Sequence, residues 1–171
     1  MTLEQIAQIL IIIHAATGGI ALLAGAVALA AKKGRLVHRR AGFIFCCSML
    51  FSVFLAVIIA VLPSHENPFL LAIGVFSAYL LLSGYGNLKY KNATTVALSD
   101  KIVSWGMIVA GVGMIFYSLA ISTGINYVLI VFGAIGMWLA IRDVRLYAKV
   151  ERLRQRWLRQ HLSRMAGGYI A

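Results

Sequence analysis

Five long apolar runs constrain the fold of this chain more than any other feature of its sequence. They cover residues 6–31, 41–62, 69–88, 102–121 and 125–141. A helix rises about 1.5 Å per residue, so about 20 apolar residues cross the roughly 30 Å hydrocarbon core of a bilayer. An open sheet is excluded, because its edges would leave unpaired backbone groups in lipid. The sequence therefore predicts an all-α, polytopic transmembrane helical bundle of five spans over residues 1–141.

The composition is that of a membrane protein. Hydrophobic residues make up 61% of the 171 residues and charged residues only 12%, whereas soluble domains carry about 25% charged residues. The formal net charge of +11 raises nucleic acid as a partner, but such a site needs basic residues on an exposed soluble face. We expect no nucleic-acid partner, and a bilayer with anionic headgroups on its cytoplasmic side instead.

The cations fall on alternate connections between the runs, which predicts the orientation. All 16 Lys and Arg residues lie in the first connector, in the third connector or after the fifth run. Cytoplasmic connections of membrane proteins carry an excess of Lys and Arg. We therefore expect a bacterial inner (plasma) membrane protein with its N-terminus outside and the segment after the fifth span in the cytoplasm.

A basic amphipathic helix is predicted over residues 142–165, continuous with the fifth span. Its apolar positions recur at helical spacing: Leu146, Val150, Leu153, Trp157, His161 and Met165. A basic stripe runs beside them: Arg145, Lys149, Arg152, Arg156 and Arg159. Such a helix extends the bundle, lies against anionic headgroups or docks a partner protein. Residues 166–171 are predicted to form a tail or the start of a truncated sixth span.

His14 is the leading candidate for a functional side chain. It lies about 12 Å into the first span, and ionisable side chains at membrane depth seldom face lipid. Gly18, Ala21, Gly25 and Ala28 follow it at steps of three and four residues, a stripe that allows close helix packing. We expect His14 to face the bundle, as a hydrogen-bonded neutral histidine, a haem or metal ligand, a proton relay or part of a substrate cavity.

The other histidines, His38, His65 and His161, are further candidates for binding a ligand or cofactor. His65 lies in the predicted outer loop, and His38 and His161 lie on the predicted cytoplasmic side. The two pairs that share a side are His14 with His65 and His38 with His161. Haem b held by two histidines needs both ligands at one depth on facing helices. The residue spacings match no metal-binding motif, so the metal, if any, is unknown.

The first cytoplasmic connector is a candidate site for lipid headgroups or another anion. Its cations are Lys33, Arg35, Arg39 and Arg40. Lys and Arg bind phosphate groups, although orientation by the positive-inside rule also accounts for such a connector.

Small and polar residues mark further positions in the later runs. Gly106 with Ala110 and Gly136 with Ala140 stand four apart, which predicts helix packing on the fourth and fifth spans. Five polar side chains are candidates for lining a cavity or satisfying one another: Tyr79, Ser83, Tyr85, Asn87 and Tyr117.

Several of these residues together resemble an uncharacterised family of bacterial multi-spanning membrane proteins, a domain of unknown function. The resemblance covers most of the chain and is carried by His14, Gly25, the segment Lys33-Gly34-x-x-x-His38-Arg39-x-x-Gly42, His161, Met165 and Tyr169. Members of the family look to continue past the last of these residues into one more hydrophobic span. The resemblance implies His14, His38 and His161 as residues of interest and gives them no role.

The five runs contain no Asp, Glu, Lys or Arg, so no catalytic set accompanies His14. The leading hypothesis is an integral inner-membrane protein that binds a small ligand or a membrane partner in the bundle containing His14 and is not itself a hydrolase or transferase. That partner is another membrane protein or a second copy of the chain. The alternatives are a b-type haem electron-transfer protein and an accessory subunit of a larger membrane complex.

Overall fold

The computed structural model describes residues 2–121 and 124–171, and these residues form helices joined by short connections, without a strand. The six long helices are α1 (Leu3–Ala30), α2 (Leu36–Ile59), α3 (Pro68–Gly86), α4 (Leu98–Phe116), α5 (Tyr127–Tyr147) and α6 (Val150–Ile170). A 3₁₀ turn, Asn87–Lys91, follows α3, and a π-helical turn, Tyr117–Ile121, follows α4. The predicted all-α fold is confirmed.

Helices α1 to α5 are each long and apolar enough to cross a membrane. Their outward faces carry large apolar side chains, and Leu23 and Val109, for example, are 71% and 69% exposed. Contiguous apolar surface on this scale marks contact with lipid or with another protein. The chain is a membrane-embedded helical protein, as the five apolar runs predict.

The observed helices extend beyond the apolar runs at several ends. Helix α2 begins at Leu36 rather than at Ala41, and α5 continues to Tyr147 rather than ending at Ile141. The apolar runs stop at the first charged side chain, whereas the backbone hydrogen bonds of a helix continue past it. A charged residue in the first or last turn reaches water from there, so hydropathy alone underestimates the length of these helices.

Helices α1 and α2 pack together in an amino-terminal unit that ends at Gly74. The buried face of α1 consists of Ala7, Ala21, Gly25 and Ala28. A Cβ atom added to Gly18 would lie 3.3 Å from the Ser52 Oγ atom of α2, which shows how closely the backbones approach there. The predicted stripe of small residues on the first span is therefore confirmed as a packing face.

Helices α4 and α5 meet at two glycines in the carboxy-terminal unit, Val75–Ala171. A Cβ atom on Gly111 would lie 2.8 Å from the Gly133 carbonyl oxygen, and one on Gly133 would lie 2.9 Å from the Gly111 oxygen. Gly136 contacts Met107 and thus belongs to this interface. The prediction that Gly106 packs here is wrong, because a Cβ atom on it would meet nothing within 4 Å.

Helix α6 is separate from α5, so the prediction of one continuous helix is wrong. The Lys149 amide donates to the Leu146 carbonyl oxygen at 2.9 Å, which closes a tight turn and ends the α-helical ladder. The amphipathic pattern itself is confirmed, since its apolar positions are buried or half-buried and its basic stripe is exposed. Residues 166–170 form the last turns of α6, where Gly167 and Gly168 pack against α3.

Candidate functional site

A buried ion pair joins α5 to α6. The Arg164 Nη2 atom donates to the Asp143 Oδ1 and Oδ2 atoms at 2.9 and 3.0 Å. The two side chains are only 4% and 6% exposed. A buried charge is tolerated where a partner of opposite charge compensates it. This pair therefore fixes α6 against the apolar helix α5.

Tyr79 of α3 completes the cluster. Its hydroxyl group donates to the Asp143 Oδ2 atom at 2.6 Å. The Arg164 guanidinium carbon lies 4.8 Å from the centre of the Tyr79 ring, a cation–π distance. We call Tyr79, Asp143 and Arg164 the buried triad, and it ties three helices together at one point.

One donor of the triad has no acceptor among the described residues. The Arg164 Nη1 atom is buried and makes no hydrogen bond there. A buried donor left without an acceptor costs about 1–3 kcal/mol, and more for a charged group. In native proteins such buried donors are paired with protein groups or with ordered water.

Arg164 also lines a cavity of about 360 Å³ in the carboxy-terminal unit, a volume suited to a small ligand. Its polar lining comes from Arg142, Arg156, Arg159, Gln160, Ser163 and Arg164, and its apolar lining from Phe76, Leu80, Leu139 and Gly167. Among the described residues, the lining contains four guanidinium groups and no carboxylate. We call it the arginine cavity, and its charge favours an anionic ligand.

His14 lies in the interface between α1 and α2, facing inward as the sequence predicts. Its Nδ1 atom is 2.9 Å from the Ser52 carbonyl oxygen, which only accepts, so Nδ1 carries the proton in this bond. The Ser52 hydroxyl group in turn donates to the His14 carbonyl oxygen at 3.0 Å. His14 and Ser52 thus satisfy each other within the amino-terminal unit.

His38 and Lys33 close the end of α1. The His38 Nδ1 atom donates to the Ala28 carbonyl oxygen at 2.9 Å, and Lys33 donates to the Ala28 and Leu29 carbonyl oxygens. The last carbonyls of a helix lack partners within it and carry its negative end, so a cation stabilises them. All four cations of the predicted anion site are exposed: Lys33, Arg35, Arg39 and Arg40. Lys33 differs in binding the carbonyl groups at the end of α1.

The remaining histidines have partners of their own. The His65 Nε2 atom lies 3.8 Å from a Glu4 carboxylate oxygen in the amino-terminal unit. The His161 Nδ1 atom donates to the Gly84 carbonyl oxygen at 2.9 Å in the carboxy-terminal unit. Within residues 2–121 and 124–171, no three His, Cys, Asp or Glu side chains are grouped to hold a metal ion.

Haem b therefore stays a prediction. An absorption spectrum of the detergent-purified protein, expressed with adequate haem, tests it directly. A Soret band that disappears in His14→Ala would establish His14 as an axial ligand.

Sequence reasoning missed the ion pair of the buried triad, although it named Tyr79 as a candidate polar residue. Asp143 and Arg164 both lie beyond the apolar runs, so the sequence alone assigns both to the charged cytoplasmic segment. One signal could have found Asp143, since it follows Gly136 and Ala140 at helical spacing on the buried face of α5. A carboxylate on a packing face requires a partner, and Arg164 provides it.

The arginine cavity combines positive charge with apolar walls. These features recognise a negatively charged group that has an apolar neighbour. Comparisons of the chain with models of protein families, with curated proteins and with solved structures find no match.

Proposed function

We propose that this protein is a binding protein of the bacterial inner membrane that takes an anionic ligand in the arginine cavity. The observation that carries the proposal is the lining of the cavity, which contains four guanidinium groups and no carboxylate among the described residues. Guanidinium groups bind phosphate and carboxylate oxygens through parallel, charge-assisted hydrogen bonds. An anion in the cavity would be bound by these groups.

We place the ligand at the arginine cavity rather than at His14. The polar atoms of His14 and Ser52 that face each other are already hydrogen-bonded, which favours a packing role for this pair. The resemblance to an uncharacterised bacterial family supports the inner-membrane assignment and names no ligand.

The proposed orientation puts the N-terminus outside and α6 on the cytoplasmic side. It is supported by the cations, which lie at alternate connections of the five spans. In this orientation the arginine cavity meets the cytoplasmic leaflet, whose anionic lipids attract basic segments.

Cysteine labelling tests the orientation. Single cysteines are introduced as Glu66→Cys and Gln155→Cys in a chain in which Cys46 and Cys47 are replaced by Ala. A membrane-impermeant maleimide added to intact spheroplasts is expected to label position 66 and to spare position 155 until the membrane is opened. The reverse pattern would overturn the orientation.

A thermal-shift experiment tests anion binding. Inorganic phosphate, compared with chloride at equal ionic strength, is expected to raise the unfolding temperature of the purified protein, because ligands stabilise the state that they bind. The rise should be lost in Arg156→Gln/Arg159→Gln. It should remain in the control Arg152→Gln/Arg154→Gln, which removes the same charge from exposed positions of α6 outside the cavity lining. Equal shifts in all three proteins would overturn the proposal.

A further inference from the structure

We infer that the ligand of the arginine cavity is the phosphate group of an anionic phospholipid, with an acyl chain lying along the apolar wall of the cavity. This inference rests on the proposed anion site and adds the source of the anion. The side chains that surround the arginines support it.

The apolar wall belongs to the membrane-spanning helices. Phe76 and Leu80 lie on α3, and Leu139 lies on α5. Both helices are apolar enough to cross the bilayer. A free inorganic anion gains nothing from such a wall, whereas an acyl chain gains van der Waals contacts with it. The cavity is thus suited to an amphiphile.

The charged part of the lining comes from the neighbouring ends of α5 and α6. Arg142 lies on α5 three residues after Leu139, and Arg156 and Arg159 lie on α6 with exposed side chains. The apolar and charged parts of the cavity therefore follow each other along α5, as the acyl chains and the headgroup do in a lipid leaflet.

An aromatic residue marks the expected depth of the headgroup. The Trp138 ring is 58% exposed, and the Arg142 guanidinium carbon lies 4.8 Å from its centre. Trp side chains concentrate at the membrane–water interface. Arg142 lines the cavity and lies beside this ring, so we place the headgroup of the lipid next to Arg142.

Arg164 distinguishes this cavity from a general basic surface. Exposed arginines attract any anionic lipid through long-range charge. Arg164 is 3% exposed and fixed by Asp143, and it lines the same cavity as Arg142, Arg156 and Arg159. Because the four guanidinium groups line one cavity, a bound phosphate group would occupy one defined site rather than many sites on a basic surface.

Native mass spectrometry of the full-length protein in detergent micelles tests the inference. Phosphatidylglycerol and phosphatidylcholine are offered at equal mole fraction, and the number of lipids retained is counted. We expect one retained phosphatidylglycerol per chain, and retention about tenfold weaker in Arg156→Gln/Arg159→Gln, because charge-assisted hydrogen bonds are lost. The control Arg152→Gln/Arg154→Gln is expected to retain the lipid as the unmodified protein does.

A second variant separates lipid from free phosphate. Leu139→Ala shortens the apolar wall and leaves the four arginines in place, so it is expected to weaken lipid retention while leaving the thermal shift by inorganic phosphate unchanged. Variants are compared only when their unfolding temperature without added ligand matches that of the control, and Arg142→Gln replaces the double variant if it does not.

The outcomes distinguish the two proposals. If phosphate stabilises the protein through the cavity arginines but phosphatidylglycerol is retained no better than phosphatidylcholine, the lipid inference is wrong and the anion site stands. Equal retention of phosphatidylglycerol by the cavity variant and its control would also overturn the lipid inference, as binding would then be nonspecific. A protein that responds to neither phosphate nor phosphatidylglycerol would overturn both.

Discussion

The amino-terminal and carboxy-terminal units pack their helices by different chemistry. In the first unit, α1 and α2 meet through small residues and through the mutual hydrogen bonds of His14 and Ser52. In the second, close glycine contacts are combined with a buried ion pair between Asp143 and Arg164. The first arrangement uses hydrogen bonds between a histidine, a serine and backbone carbonyl groups, whereas the second keeps two charges away from water.

The difference indicates where binding is to be expected. The His14 Nδ1 atom and the Ser52 hydroxyl group already have protein partners, so they are less available to a ligand. Buried charges are costly, and they are often found at functional sites. The carboxy-terminal unit holds a buried ion pair, and it also holds a cavity lined by one member of that pair. The following predictions test this contrast, from the largest expected effect to the smallest.

Removal of one member of the ion pair should have the largest effect. Arg164→Ala leaves Asp143 buried without its compensating charge, and breaking such a pair costs about 3–5 kcal/mol. Asp143→Leu combined with Arg164→Met should recover much of that loss, because it removes both charges and keeps apolar volume. Unfolding temperatures in detergent measure both effects. A double variant as unstable as the single one would show that the charges are not the cause.

Disruption of the glycine contact between α4 and α5 should cause the second-largest loss of stability. Gly111→Ala places a methyl group 2.8 Å from the Gly133 carbonyl oxygen, and overpacking of this kind costs about 1–3 kcal/mol. Gly113→Ala is the matched control, since its Cβ atom would meet nothing within 4 Å on the same helix. The same unfolding measurement should separate the two variants, and equal stability would contradict the described packing of these helices.

Loss of the hydrogen bond between Ser52 and His14 in the amino-terminal unit should lower the stability by a smaller amount. Ser52→Ala removes the hydroxyl hydrogen bond to His14, and hydrogen bonds between membrane helices contribute about 0.6 kcal/mol on average and at most about 1.7 kcal/mol. Ser48→Ala on the same helix is the control. A loss as large as that of Arg164→Ala would remove the contrast between the two units.

The smallest effect is expected at the end of α1. Lys33→Ala removes the cation that binds the last carbonyls of that helix, an interaction that contributes about 0.3–1 kcal/mol. The neighbouring Lys32→Ala removes the same charge from an exposed position and should leave the unfolding temperature closer to that of the unmodified protein. Equal effects would assign the stabilisation to general charge rather than to the cap.

The sequence predicts the existence of all five spans, because each needs only a long apolar run. It also predicts the packing face of α1, where the small residues form one uninterrupted stripe. The packing face of α4 is harder to predict, since Gly106, Gly111 and Gly113 offer competing stripes. Only the position of Gly133 on the partner helix decides which of these glycines is used, and no local pattern contains that information.

The candidate site is less accessible to sequence reasoning, for a physical reason. In the sequence, a charged residue near the end of a span indicates orientation. The sequence does not distinguish a side chain that reaches water from one that packs inside the protein. Arg164 resembles the exposed Arg156 and Arg159 in sequence, yet it is buried because Asp143 and Tyr79 surround it. Those partners lie 21 and 85 residues away, so the distinction depends on tertiary contacts.

The buried ion pair has a consequence for how the protein is made. Asp143 emerges from the ribosome 21 residues before Arg164, so its carboxylate has no charged partner in the triad until α6 has been translated. Tyr79 is already present at that stage and provides one hydrogen bond. The ion pair that fixes α6 against α5 can therefore form only after Arg164 has left the ribosome.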